Sequence, residues 1–122
     1  MKLVIEEPES ASLERHVQDA SSLATSRIAL VEVLRATALA NPEAAVRDEA
    51  ERLLASCMLI DVTDRLLRDA ATLTSASVRT LDAIHIASAL RIEADELVAY
   101  DRRLLTAAAG HGLAVASPGV RP

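Results

Sequence analysis

Short apolar runs of strand character alternate along this chain with longer stretches of helical period, and that alternation restricts the fold more than any other feature. Residues 22–25, 58–62, 96–100 and 113–116 are strand candidates four or five residues long, each with an apolar stretch at its centre. Between them lie stretches with helix signals, expected over residues 27–39, 42–56, 64–76, 80–93 and 101–109. Parallel strands need a crossover between them, and a helix is the usual one. The pattern therefore implies an α/β fold, a layered sandwich with a mainly parallel central sheet and right-handed crossovers.

The helix boundaries rest on local chemistry. Ser26 precedes the 27–39 stretch as a candidate N-cap, with Ile28, Val31, Leu34 and Ala38 on one stripe. Asn41-Pro42 closes that helix and opens the next, where Glu43 and Arg47, and Asp48 and Arg52, stand at i,i+4 on a solvated face. Thr63 or Asp64 is expected to cap the helix that runs to about Ala76. Thr80 is expected to cap the next, whose apolar positions are Leu81, Ile84, Ile86 and Leu90. Gly110 and Gly112 should break the helix that Asp101 opens. Ahead of all this, Glu6–Glu9 with Pro8 reads as a turn into a helix capped by Ser10 or Ser12, with Leu13 and Val17 as its apolar positions.

Composition then removes several classes. The chain has 122 residues, suiting one domain over 1–122, and 51% of them are hydrophobic, but Tyr100 is its single aromatic residue. The core must be aliphatic, and base-stacking platforms built on aromatics are excluded. Lys2 is the single lysine, so neither a phosphate-binding loop ending in Gly-Lys nor a receiver-type late lysine is available. The net charge of −5 argues against a broad phosphate-binding surface but not against an acidic metal site, which is itself negative. No apolar run approaches a membrane span, and no signal-peptide pattern opens the chain. Cys57 stands alone, which fits a reduced, cytoplasmic setting and the role of a small buried thiol.

Three carboxylates stand where an α/β fold places chemistry, near the C-terminal ends of strands and the first turns of helices. Asp101 follows a strand directly, Asp82 opens a helix, and Glu32 lies in a helix among Ile28, Ala29 and Ala36 with Arg35 beside it. Structural readings exist for each. Asp101 suits an N-cap, Asp82 complements a helix dipole, and Glu32 can pair with Arg35 on the surface. Together they could instead hold Mg²⁺ or Mn²⁺, which take oxygen ligands. His16 and His111 lie in no motif and read as surface residues.

Three segments carry a family resemblance over essentially the whole chain. Thr25-Ser26-Arg27-Ile28-Ala29-Leu30-Val31-Glu32-Val33, Arg79-Thr80-Leu81-Asp82-Ala83-Ile84-His85-Ile86-Ala87-Ser88-Ala89 and Leu97-Val98-Ala99-Tyr100-Asp101-Arg102-Arg103-Leu104 resemble the second, third and fourth acidic motifs of PIN domains of the VapC toxin type. The closing Gly112-Leu113-Ala114-Val115 and Ser117-Pro118-Gly119 fit the same pattern. The resemblance implies a PIN-like three-layer sandwich and a Mg²⁺- or Mn²⁺-dependent endoribonuclease cutting structured RNA such as tRNA. It makes Glu32, Asp82 and Asp101 the metal and catalytic carboxylates, with Thr80 and His85 supporting them. It also implies a homodimer neutralised by a cognate VapB-like antitoxin.

The N-terminus departs from that pattern. The family opens with a buried strand ending in Asp, in a stretch such as Leu-Asp-Thr-Ser-Ala, whereas this chain begins Met1-Lys2-Leu3-Val4-Ile5-Glu6-Glu7-Pro8. The first strand and its aspartate are thus expected to lie ahead of Met1. A miscalled start accounts for this most simply; truncation, or a partner strand filling the gap, are the alternatives. If the chain is a degenerate member, it would bind an antitoxin or another protein without cleaving RNA.

Overall fold

The computed structural model describes residues 15, 22–40, 43–73 and 78–119. The N-terminal turn and helix expected ahead of residue 22, the Asn41-Pro42 junction and the expected helix end at Ala76 lie outside those residues. Among the described residues there are four strands and five helices, and they fall into two compact units, one within Met1–Ile60 and Pro118–Pro122, the other within Asp61–Ser117.

In the first unit β1 (Ala24–Ser26) leads into α1 (Ala29–Ala40), α2 (Ala44–Ala55) and β2 (Met58–Ile60). The strands are parallel, with Ala24 opposite Met58, Thr25 opposite Leu59 and Ser26 opposite Ile60. Backbone bonds extend the ladder at both ends, from Met58 N–H to Leu23 and from Arg27 N–H to Ile60, each 2.9 Å. The two helices between the strands form the crossover and pack on each other. Ala29, Ala50, Leu54 and Ile60 are buried, together with Ser26 and Thr37.

Ser26 is not the cap of α1. It is the last residue of β1, and its Oγ accepts a 3.4 Å bond from Ile28 N–H, so a short turn separates strand from helix and α1 begins at Ala29. The apolar stripe is also rephased. Val31 is 61% exposed and Ala38 is exposed, while Ala29 and Thr37 face inward. A helix rich in Ala, Val and Leu on every side gives its periodicity little power to select a face. On α2, Arg52 meets Glu49 at 2.7 Å rather than Asp48, and Arg47 lies 3.8 Å from Glu51. Cys57, expected to be buried, is half-buried, and its Sγ donates to the Leu53 carbonyl at 3.5 Å.

The second unit holds α3 (Asp64–Ala71), α4 (Thr80–Arg91), β3 (Leu97–Val98), α5 (Arg102–Gly110) and β4 (Val115–Ala116). β3 and β4 are parallel, Leu97 opposite Val115 and Val98 opposite Ala116, so β3, α5 and β4 make one strand–helix–strand crossover. Ala99 N–H bonds Ala116 at 3.1 Å, and Ser117 Oγ–H bonds the Ala99 carbonyl at 2.6 Å, tying the two strands beyond their paired residues. The core gathers Ile86, Ala107, Ala108 and Leu113, with Leu73, Val78, Ala89, Leu97 and Leu104 packed around them. It is aliphatic, as a chain with one aromatic residue requires. Tyr100, that residue, is half-buried beside Asp101 just past β3.

Helix ends in this unit show which signals hold. Thr63 caps α3, its Oγ1 accepting from Leu66 N–H at 3.1 Å. Thr80 does not cap α4: it is the first helical residue, and Arg79 occupies the N-cap without a side-chain bond. Of the apolar positions assigned to α4, Ile84 and Ile86 are buried but Leu81 is 50% exposed and Leu90 is 36% exposed. Gly110 remains inside α5, and the break falls at Gly112, whose φ of 88° suits glycine. Leu113 N–H bonds Ala108 and Gly112 N–H bonds Ala109, both at 3.0 Å, a Schellman closure that sends Leu113 into the core. The end of α4 closes similarly through Ala94 N–H to Ala89, but there the left-handed position is Glu93, with φ 51°. His111, read as a surface residue, is half-buried as the C-cap of α5.

Candidate active site

Each of the three carboxylates stands at the N-terminal end of a helix. Glu32 lies in the first turn of α1, which follows the C-terminal end of β1 after the turn at Arg27 and Ile28. Its N–H bonds the Ile28 carbonyl at 3.2 Å, and the residue is half-buried. Asp82 lies in the first turn of α4, also half-buried. A carboxylate there gains from the positive end of the helix dipole, the more so because Arg79 leaves the cap position without a side-chain acceptor.

Asp101 has the most defined geometry. It is the N-cap of α5, and a single oxygen, Oδ1, accepts from Arg103 N–H at 2.8 Å and Leu104 N–H at 3.2 Å. The structural reading of this residue is therefore correct as far as it goes. The two bonds fix the rotamer at the C-terminal end of β3 and leave Oδ2 outside the cap. Asp101 itself is exposed, as are Arg102 and Arg103 behind it.

Glu32 belongs to the first unit, and Asp82 and Asp101 to the second. Within either unit, among the described residues, no three His, Cys, Asp or Glu side chains form a group that could hold an ion. The donor chemistry of the three residues, carboxylate oxygens without sulfur or imidazole, suits a hard divalent cation. His85 is half-buried one turn after Asp82 on α4, at the i,i+3 spacing that brings side chains side by side. Thr80 lines a cavity of about 310 Å³ in the second unit with Leu67, Leu73, Val78, Ala83 and Ile84. Its lining is otherwise apolar, so this cavity offers no set of metal donors.

Arg102 and Arg103 follow Asp101 within the same motif and carry no role assigned from the sequence. The available signal was their place: cations in the first turn of a helix oppose its dipole.

Known proteins resemble this chain over most of its length. A family model described as PIN domain matches residues 1–110. Ribonuclease VapC46 of Mycobacterium tuberculosis (strain ATCC 25618 / H37Rv) is 38% identical over 120 residues, covering 97% of this chain and 91% of that protein. Ribonuclease VapC47 of Mycobacterium tuberculosis (strain CDC 1551 / Oshkosh) is 35% identical over 124 residues, covering 97% of this chain and 90% of that one. No solved structure matches the chain.

Proposed function

The chain belongs to the PIN-domain family, in its VapC toxin type, and from that premise we propose that it is a divalent-metal-dependent endoribonuclease that cuts structured RNA such as tRNA. The observation that carries the proposal is 38% identity, over 97% of the chain, to a protein named a ribonuclease. The placement of Asp82 and Asp101 at helix N-termini within one unit, Asp101 directly past a strand, supports it. Among the described residues no helix is long and apolar enough to cross a membrane; a cytoplasmic location, a homodimer and a VapB-like antitoxin complete the reading.

Glu32, Asp82 and Asp101 are the proposed metal carboxylates, and the 122 residues are proposed to act as one domain. Mg²⁺ or Mn²⁺, when bound, would stabilise negative charge at the scissile phosphate and ease deprotonation of the attacking water. The chain's own contribution is to hold the carboxylates still. Asp101 does so through two backbone bonds to Oδ1, which restrict the side chain before any ligand arrives. Asp82 stands in the first turn of α4, at the positive end of the helix dipole, on a helix anchored by buried Ile84, Ile86 and Ala87. Thr80 and His85 flank it on the same helix as supporting residues.

Two measurements test this. Bulk tRNA incubated with the protein and Mg²⁺ or Mn²⁺ should be cleaved, and chelation by EDTA should stop it. Independently, either ion should raise the Tm of the wild type through preferential binding to the folded state, and D82N/D101N should remove that shift. A wild type that cleaves equally in EDTA, or a double variant that keeps the full metal response, refutes the assignment.

A further inference from the structure

We infer that Arg102 and Arg103 form the contact that seats an RNA phosphate beside Asp101. This deepens the ribonuclease reading and rests on it. Both arginines lie in the first turn of α5, which has no acidic residue of its own. That is the wrong end of the helix for a cation. Arg65 and Arg79 also stand at helix starts, but singly, Arg65 next to Asp64, whereas Arg102 and Arg103 are adjacent; four further arginines are placed where their charge is answered. Arg47 and Arg52 lie against Glu51 and Glu49, and Arg68 and Arg91 occupy last turns, where the dipole favours them. Arg102 and Arg103 are exposed, and neither enters an ion pair among the described residues. Asp101 Oδ1 accepts from backbone N–H groups of α5.

The position in the fold gives these charges a use. α5 begins where β3 ends, so the pair sits at the C-terminal edge of the parallel strands, where open α/β sheets bind ligands. A chain of net charge −5 offers a polyanion little long-range attraction, so local cationic contacts matter more. Guanidinium groups suit that work, since they can engage two phosphate oxygens at once. Arg102 and Arg103 are thus positioning residues: they would place the strand, and the carboxylates would act on it.

The test is equilibrium binding of fluorescein-labelled bulk tRNA, followed by anisotropy in EDTA over a salt series, for the wild type, R102A/R103A, R102Q/R103Q and R102K/R103K. Loss of two phosphate contacts should lower the slope of log affinity against log salt by about 1.4 to 1.8. The alanine and glutamine pairs should show that loss, and the lysine pair should keep the slope because it keeps the charges. In Mg²⁺ the alanine pair should raise KM while kcat at saturating RNA stays near wild type. If the wild type cleaves tRNA but the alanine and glutamine pairs bind with the wild-type slope, this inference is overturned and the ribonuclease reading stands. If the wild type neither binds nor cleaves RNA in the presence of metal, the reading beneath it has failed.

Discussion

Substitution of Asp101 separates its role as a cap, which is observed, from the metal role proposed for it. As a cap, Oδ1 satisfies two backbone donors of α5, at 2.8 and 3.2 Å. Asp101→Ala removes both acceptors. Because the site is exposed, water can replace part of what is lost. The expected cost is that of an ordinary N-cap, about 1 kcal/mol within a range of roughly 0.5–2. For 122 residues this corresponds to a fall in Tm of about 3–6 °C. Asp101→Asn keeps an oxygen in the same place and loses the charge, so in EDTA it should lie within about 0.5 kcal/mol of wild type. Metal reverses the comparison, since an amide oxygen is a poor substitute for a carboxylate beside a divalent cation. The Tm gain from Mg²⁺ should shrink equally in Asp101→Asn and Asp101→Ala. The assay is thermal unfolding by circular dichroism in EDTA and at several Mg²⁺ concentrations. If the asparagine variant is as unstable as the alanine variant in EDTA, the cap is not set by the geometry described. If it keeps the full Mg²⁺ response, Asp101 is not a metal ligand.

Other substitutions probe the framework around the site. Gly112→Ala, at φ 88°, should destabilise by about 1–2 kcal/mol in denaturant unfolding, with Leu113 drawn from the core as the Schellman closure is strained. Glu93→Gly should act oppositely, gaining about 0.5–1 kcal/mol by relieving the left-handed φ of 51°. Thr37 is 1% exposed and its Oγ1 has no hydrogen-bond partner among the described residues, so Thr37→Val should stabilise by about 1 kcal/mol; a loss would mean the hydroxyl is satisfied. Ile86→Ala, at a fully buried position of the core, should cost about 2–5 kcal/mol.

The order of elements was legible because it depends on local signals that are strong in this chain. Thr63 and Asp101 cap helices as their side-chain chemistry suggests, and each of the four strands forms within its apolar run or overlaps it. What was not legible was decided by tertiary packing. Ser26 resembles a cap, but strand pairing with Ile60 claims it first. Thr80 has the same chemistry as Thr63, yet α4 begins one residue earlier in register, with Arg79 at its cap. Val31 and Leu81 are as apolar as their buried neighbours and are nonetheless exposed, since an aliphatic helix does not announce which side will be covered. The candidate carboxylates were legible by a different route. Their spacing says little, but each sits inside a motif, and the motif places it at a helix start.

The single aromatic residue turns the candidate site into an optical reporter. Tyr100 immediately precedes Asp101, and no tryptophan or phenylalanine competes with it. All intrinsic ultraviolet emission from the chain therefore originates at the end of β3, next to the cap of α5. A cation or nucleic acid arriving there can be followed by tyrosine emission without any label. The same probe is blind to rearrangement of the aliphatic core except where that reaches the strand end. A change in emission at constant helical circular dichroism would thus report a local event at residues 100–101, separated spectroscopically from unfolding.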